Sequence, residues 1–218
     1  MSVSDTGSRL NVLLTASGLA PLDRETTKQL EAYFSLFLRW RARLNLSAIR
    51  DENEILSRHL LESIAVAREL PEGIATLLDF GSGAGLPGIP IALCRPEIVV
   101  TLAESQGKKA AFLREAVRVL GIKAEVYAGR AETLQKTFDC VILRAVDKMP
   151  KAVAQATRLV AHGGWLALMT TTGDLEGLQR AAGLEFLWPI VNQLPGGSHR
   201  IVALGRRRGQ GPAATELE

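Results

Sequence analysis

The 218-residue chain is poor in the residues that small secreted or metal-built proteins depend on. It has 2 cysteines and 3 histidines. Cys94 and Cys140 each lie inside an apolar run and far apart, so neither a disulfide framework nor a ligand spacing can be read from them, and buried free thiols are expected. His59, His162 and His199 are scattered, with no i, i+4 pair to place two ligands on one helix face, so no metal is expected. No stretch approaches the roughly 18 uninterrupted apolar residues of a membrane span. The first residues, Met1-Ser-Val-Ser-Asp-Thr-Gly7, lack the basic start and apolar run of a secretory signal, so a soluble cytoplasmic chain is expected.

What is present is ordinary for a globular α/β protein: 47% hydrophobic residues, 22% charged residues and a formal net charge of +3. The basic residues gather locally, at Arg39, Arg41 and Arg43, at Lys108 and Lys109, and at Arg206 to Arg208. Such clusters can follow a phosphate backbone, or they can be solvated helix faces and a loose tail.

Residues 1–70 read as a helical extension. Leu30, Phe34, Phe37, Leu38 and Leu44 recur at helical spacing behind an N-cap at Asp23, with Asn45 closing the run. A second start at Asp51-Glu-Asn-Glu54 leads to Ile55, Leu56, Leu60, Ile64 and Ala67, and Pro71 ends the helix. Residues 71–205 alternate short apolar runs (76–80, 98–104, 125–128, 138–143, 165–170) with helical stretches (107–120, 150–160). Strand, helix, strand order requires parallel crossovers, hence a Rossmann-like, mostly parallel seven-stranded sheet covered on both faces. Residues 184–193 and 199–204, joined by Leu194-Pro-Gly-Gly-Ser198, imply an antiparallel edge, and residues 206–218 are expected to be a disordered tail.

The densest motif is Asp79-Phe-Gly81-Ser-Gly83-Ala-Gly85-Leu-Pro-Gly88, where the first strand hands over to a helix. Glycines let the backbone turn sharply and let a ligand lie against it. Gly83-x-Gly85-x-x-Gly88 satisfies the dinucleotide fingerprint, so the pattern alone leaves nicotinamide cofactors and S-adenosylmethionine open. An ionised Asp79 facing the loop would repel a diphosphate and attract a sulfonium and an α-amino group, and Pro87 and Pro90 disturb the helix start that a diphosphate uses; S-adenosylmethionine is favoured. Glu104, at the end of the second strand, sits where an acid meets ribose hydroxyls, or where it caps the next helix. By fold analogy Gly129-Arg-Ala-Glu132 meets the adenine edge. Arg144 ends the fourth strand, placed for cofactor or substrate, or for an ion pair with Asp147.

These residues carry a resemblance. Leu44-Asn-Leu-Ser-Ala-Ile49 with Arg58-His59, Leu78 to Pro90, Ser105-Gln-Gly-Lys-Lys109, Gly129-Arg-Ala-Glu132 and Leu143-Arg-Ala-Val146 together resemble the RsmG (glucose-inhibited division protein B) family, bacterial 16S rRNA guanine-N7 methyltransferases, over nearly the whole chain. The resemblance implies S-adenosylmethionine contacts at Gly81, Leu86, Ala131, Glu132 and Arg144, with Glu104 where the family has Asp. Asp79, Gly83 and Gly85 complete the expected cofactor set, and Arg144 is the expected positioning residue for catalysis. It further implies S-adenosylhomocysteine as product, 16S rRNA or the small ribosomal subunit as partner, and a monomeric enzyme. Two positions depart from the family: Thr170 stands where a Lys is usual, and His199-Arg200 replaces Arg-His. Arg39, Arg41, Arg43, Lys108, Lys109 and Arg200 are the expected RNA contacts. Guanine N7 carries a lone pair and no proton, so its methylation needs alignment rather than a general base, in keeping with the absence of an Asn/Asp-Pro-Pro-aromatic motif after the fourth strand. Two other classes share features with this reading: a nicotinamide-dependent oxidoreductase and a non-catalytic rRNA-binding assembly module. For His59 the family's Arg-His pair and a merely hydrogen-bonded helix histidine both remain open.

Overall fold

A computed structural model describes residues 6–209. Four helical segments come first: α1 (Thr6–Ala16), α2 (Arg24–Leu44), α3 (Glu52–Ile55), which runs on through a π-helical turn (Leu56–Leu61), and α4 (Glu62–Glu69). The capping chemistry read from the sequence is in place. Asp23 accepts from the amides of Glu25 and Thr26 at 2.8 and 2.9 Å, Asn45 closes α2 in the left-handed region, and Asp51 accepts from Glu54 N at 2.8 Å. The π turn and the separate helix α1 have no counterpart in the periodicity.

The remainder alternates: β1 (Thr76–Phe80), α5 (Gly88–Cys94), β2 (Val99–Ala103), α6 (Gly107–Leu120), β3 (Ala124–Tyr127), β4 (Phe138–Arg144), α7 (Met149–Ala156), β5 (Val160–Thr171), α8 (Leu175–Ala182), β6 (Phe186–Gln193) and β7 (Arg200–Arg207). The sheet order is β3-β2-β1-β4-β5-β7-β6, parallel from β3 to β5 and antiparallel on both sides of β7. The expected fold is therefore the observed one.

Side-chain alternation along the strands divides the core. Leu77, Cys140, Ile142, Ala167 and Val202 face the layer that holds α1, α2, α4, α5 and α6. Leu78, Val141, Leu143, Leu166 and Leu168 face α7 and α8. The N-terminal helices thus share one apolar core with the sheet face carrying α5 and α6. Among the described residues no helix is long and apolar enough to cross a membrane.

Three boundaries need correction. The helix expected over 150–160 stops at Ala156; a 3-10 turn (Thr157–Leu159) follows, and β5 opens at Val160 rather than Trp165 because a register shift between Phe138 and Cys140 absorbs the His162–Gly164 stretch. Helix α8 has no counterpart among the expected elements. The tail expected from Arg206 begins too early: Arg206 pairs with Trp165 across β5 and β7, with its guanidinium 5.6 Å from that ring, and Arg207 donates to the Val160 carbonyl at 2.6 Å. The rest of the expected tail, from residue 210, lies outside the described residues.

Candidate active site

In open α/β sheets ligands bind beyond the carboxyl ends of the strands, at the point where the strand order reverses. Here that point lies between β1 and β4, and two cavities open on either side of the β4 end. The first, of about 350 Å³, is bounded by Phe80 and Gly81 after β1, Glu104 after β2, Arg130 to Glu132 after β3, and Val146 to Lys148 after β4. The second, of about 370 Å³, is bounded by Arg58 and His59 of the π turn, Arg144 at the end of β4 and Ala145 just after it, Thr170 of β5, Asp174 of the β5–α8 link, and Arg200 of β7. Ala145 lines one and Val146 the other, so a single peptide separates them. Ala145 and Lys148 take φ of 49° and 51°. Left-handed backbone costs a non-glycine residue about 1–2 kcal/mol, so the loop between the cavities is held in a strained form of the kind found at functional sites.

The expected cofactor residues divide into those that reach the first cavity and those that support it. Gly81, Glu104, Ala131 and Glu132 line it. Gly81 has φ of 76°, and a Cβ there would stand 3.2 Å from Val146 Cγ2. Glu104 is 6% exposed; its Oε2 accepts the Gly83 amide at 3.0 Å and its Oε1 the Gln106 amide at 2.7 Å, so it both shapes the glycine loop and opens α6. A carboxylate oxygen has two lone pairs, which leaves each able to accept a hydroxyl as well. Gly83 is thus a support for Glu104. The Gly85 amide donates to Ser82 O at 2.7 Å inside the loop, and Leu86 packs half-buried against the helical core. Tyr33 of α2 holds the loop from behind, donating to the Ala84 carbonyl at 2.6 Å.

Asp79 departs from expectation. It is 1% exposed, lies under the loop rather than facing the cavity, and its Oδ2 accepts the Gly88 amide at 3.0 Å. Burial pushes its carboxyl up to about 7, against the pull of that amide. The negative charge invoked for Asp79 is therefore only about half present at neutral pH, and of Asp79 and Glu104 only Glu104 lines the first cavity.

Arg144 also departs. Its side chain turns into the wall of the second cavity. Nη2 donates to the Arg58 carbonyl and to His59 Nδ1, both at 2.7 Å, and lies 3.8 Å from Glu62 Oε2; Asp147 is not its partner. Glu62, 1% exposed, also pairs with Arg200, which places that expected RNA contact in the same wall. Burial raises the Glu62 carboxyl while Arg200 and Arg144 oppose the rise, and burial with the Arg144 charge drives His59 down to about 3. Three guanidiniums thus face one carboxylate, and Arg58 Nε, Arg144 Nη1 and Arg200 Nε have no hydrogen-bond partner. A buried donor left without one costs about 1–3 kcal/mol, and this wall holds a surplus of positive charge and unmet donors. Glu62 and Asp174 had no motif to announce them.

The remaining expected RNA residues form one border. Gln29 of α2 reaches the Leu120 carbonyl at 3.3 Å and Trp40 packs 5.9 Å from Phe112, so α2 and α6 run antiparallel and the Arg43 end of α2 approaches Lys108 and Lys109. Arg39, Arg43 and Lys108 are exposed, whereas Arg41 is half-buried and donates to the Arg50 carbonyl at 3.1 Å.

The family model described as rRNA small subunit methyltransferase G (GidB) matches residues 26–189. The chain belongs to this family. A small subunit rRNA methyltransferase G from Xanthomonas campestris pv. campestris (strain B100) is 42% identical over 151 residues, covering 68% of this chain and 70% of the relative; one from Xylella fastidiosa (strain 9a5c) is 45% identical over the same shares. Among solved structures, PH0226 from Pyrococcus horikoshii OT3 aligns with a TM-score of 0.61 at 15% identity, over 78% of this chain and 99% of that one. A SAM-dependent methyltransferase from Aquifex aeolicus gives 0.58 at 16% identity, over 75% and 97%. At those identities the likeness shows the fold. For this GidB-family methyltransferase the matched segment includes every residue lining the first cavity and all of the second except Leu194 and Arg200.

Proposed function

We propose that this enzyme moves a methyl group from S-adenosylmethionine to N7 of a guanine in 16S rRNA, with the donor in the first cavity and the guanine in the second. The observation that carries the reading is the single-peptide separation of the two cavities at Ala145–Val146. A donor and an acceptor on either side of that point meet at the β4 end, and alignment of this kind is worth roughly 7–11 kcal/mol over a chance encounter.

When bound, S-adenosylmethionine supplies an electrophilic methyl on a sulfonium. Glu104 suits its ribose, accepting hydroxyl hydrogens on lone pairs that the Gly83 and Gln106 amides leave free. Gly81 lets a ligand approach where a Cβ would intrude, and the turn at Ala131 and Glu132 borders the far end. In the second cavity the guanidinium-lined wall suits the O6 acceptor of guanine and leaves the N7 lone pair free to attack the methyl. His59 has both ring nitrogens engaged, by Arg144 and by Ser47, so it is not free to act as a base. That fits an acceptor nitrogen that already presents a lone pair. Arg39, Arg43, Lys108 and Lys109 then follow the phosphates of RNA around the extruded nucleotide, with Arg41 and Arg200 as supports, and the enzyme works as a cytoplasmic monomer.

The test is to incubate the protein with methyl-labelled S-adenosylmethionine and small ribosomal subunits, or their free 16S rRNA, lacking this modification, and to digest the RNA to nucleosides. Label in 7-methylguanosine is expected. Label in another nucleoside overturns the N7 assignment, and no label overturns the enzyme assignment.

A further inference from the structure

The π-helical turn brings His59 against the end of β4, and three contacts fix its ring. Phe37 meets it edge-on at 6.3 Å, Arg144 Nη2 stands 2.7 Å from Nδ1, and Ser47 Oγ stands 2.8 Å from Nε2. A guanidinium has donors only, so Nδ1 must accept, and the ring proton belongs on Nε2. Ser47 Oγ can take that proton's hydrogen bond, since it also accepts the Ile49 amide at 3.1 Å. The charged groups around the ring are Arg58 and Glu62 from its own helical segment, Arg144 from β4 and Arg200 from β7, and the surplus is positive. Single π turns recur at functional sites because widening the helix frees backbone groups, and here the Arg58 carbonyl is taken by the same Arg144 nitrogen.

We infer that His59 is a positioning residue: a neutral imidazole, locked as the Nε2–H tautomer, that holds the Arg144 guanidinium in its place in the wall of the cavity that takes the target base. The role in transfer rests on the second cavity being the acceptor pocket, whereas the tautomer does not. Removing the acceptor at Nδ1 frees the guanidinium to rotate onto Glu62, 3.8 Å away. The base would then meet a wall whose guanidinium is no longer fixed.

Long-range proton–nitrogen correlation spectra of the labelled protein, assigned among the 3 histidines, read the tautomer directly. A protonated Nε2 and bare Nδ1 are expected at both pH 7 and pH 5; a protonated Nδ1, or a ring that charges between those values, overturns the inference. Two variants test the consequence. His59→Leu should lower kcat for RNA methylation by roughly tenfold or more, the loss typical of a charge-assisted hydrogen bond, with calorimetric affinity for S-adenosylhomocysteine unchanged. His59→Asn, whose carbonyl oxygen lies near the place of Nδ1, should recover most of that loss. Full activity in the Leu variant, or equal losses in both variants accompanied by loss of S-adenosylhomocysteine affinity, refutes positioning. If the wild-type protein methylates no rRNA, the proposed function fails while the spectra still decide the tautomer.

Discussion

Asp79 Oδ2 and the Gly88 amide, 3.0 Å apart, close the glycine loop across its full length. Position 88 has no room for a side chain. A Cβ there would stand 2.6 Å from that same oxygen and 2.4 Å from Leu102 Cδ2. Gly88→Ala should destabilise the protein by about 1–3 kcal/mol, the usual range for overpacking a filled core, and should abolish calorimetric binding of S-adenosylhomocysteine. Urea unfolding and titration check the two effects together.

Asp79 and His59 should bend the pH–stability profile in opposite directions. Burial raises Asp79 from 3.8 to about 7, so its contribution is full below about 4 and is lost as the pH rises through 7. His59, lowered from 6.5 to about 3, contributes fully above 6.5, and its contribution is lost as the pH falls toward 3. In melting scans from pH 4 to 8, the wild-type advantage over Asp79→Asn should shrink with rising pH. Its advantage over His59→Asn should shrink with falling pH, and parallel profiles contradict both assignments.

Glu104→Gln should weaken S-adenosylhomocysteine binding by roughly 10- to 100-fold, because hydrogen bonds to a charged group contribute about 1.5–3 kcal/mol. The expected signature is a change in affinity with little change in the acceptor's KM. Unchanged affinity places the ribose elsewhere.

The basic border makes a salt prediction. Replacing Arg39, Arg43 and Lys108 by Ala should flatten the slope of log affinity for small-subunit rRNA against log salt by about 0.7–0.9 for each phosphate that is no longer neutralised. The same change should leave S-adenosylhomocysteine affinity intact. An unaltered slope removes α2 and α6 from the RNA surface.

Much of the scaffold was legible in the chain because its signals are local. The caps at Asp23 and Asp51, the 3.6-residue spacing across α2 and α6, and the short apolar runs that became β1 to β4 depend on neighbours a few residues away. The site was legible only where a motif marks it, as at Gly81, Glu104 and Ala131-Glu132. Asp79 misled because sequence position gives the strand end but not the face, and this carboxylate turned inward to an amide nine residues on. Arg144 misled for a related reason: its partners, Arg58, His59 and Glu62, are more than 80 residues away, and nothing in the strand itself points to them. The π turn escapes any pattern with a period of 3.6 or 2.

The placement of β7 between β5 and β6 has a consequence for how the protein comes into being. Every residue around the first cavity is already present once Gln155 has been made, but the second lacks part of its wall until Arg200 arrives beside Glu62, 138 residues later. A nascent or truncated chain that stops short of the last strand leaves Glu62 without Arg200 and β6 without the strand it pairs with. If the two cavities hold donor and acceptor as proposed, the residues that line the donor site are complete in the chain before those that line the acceptor site.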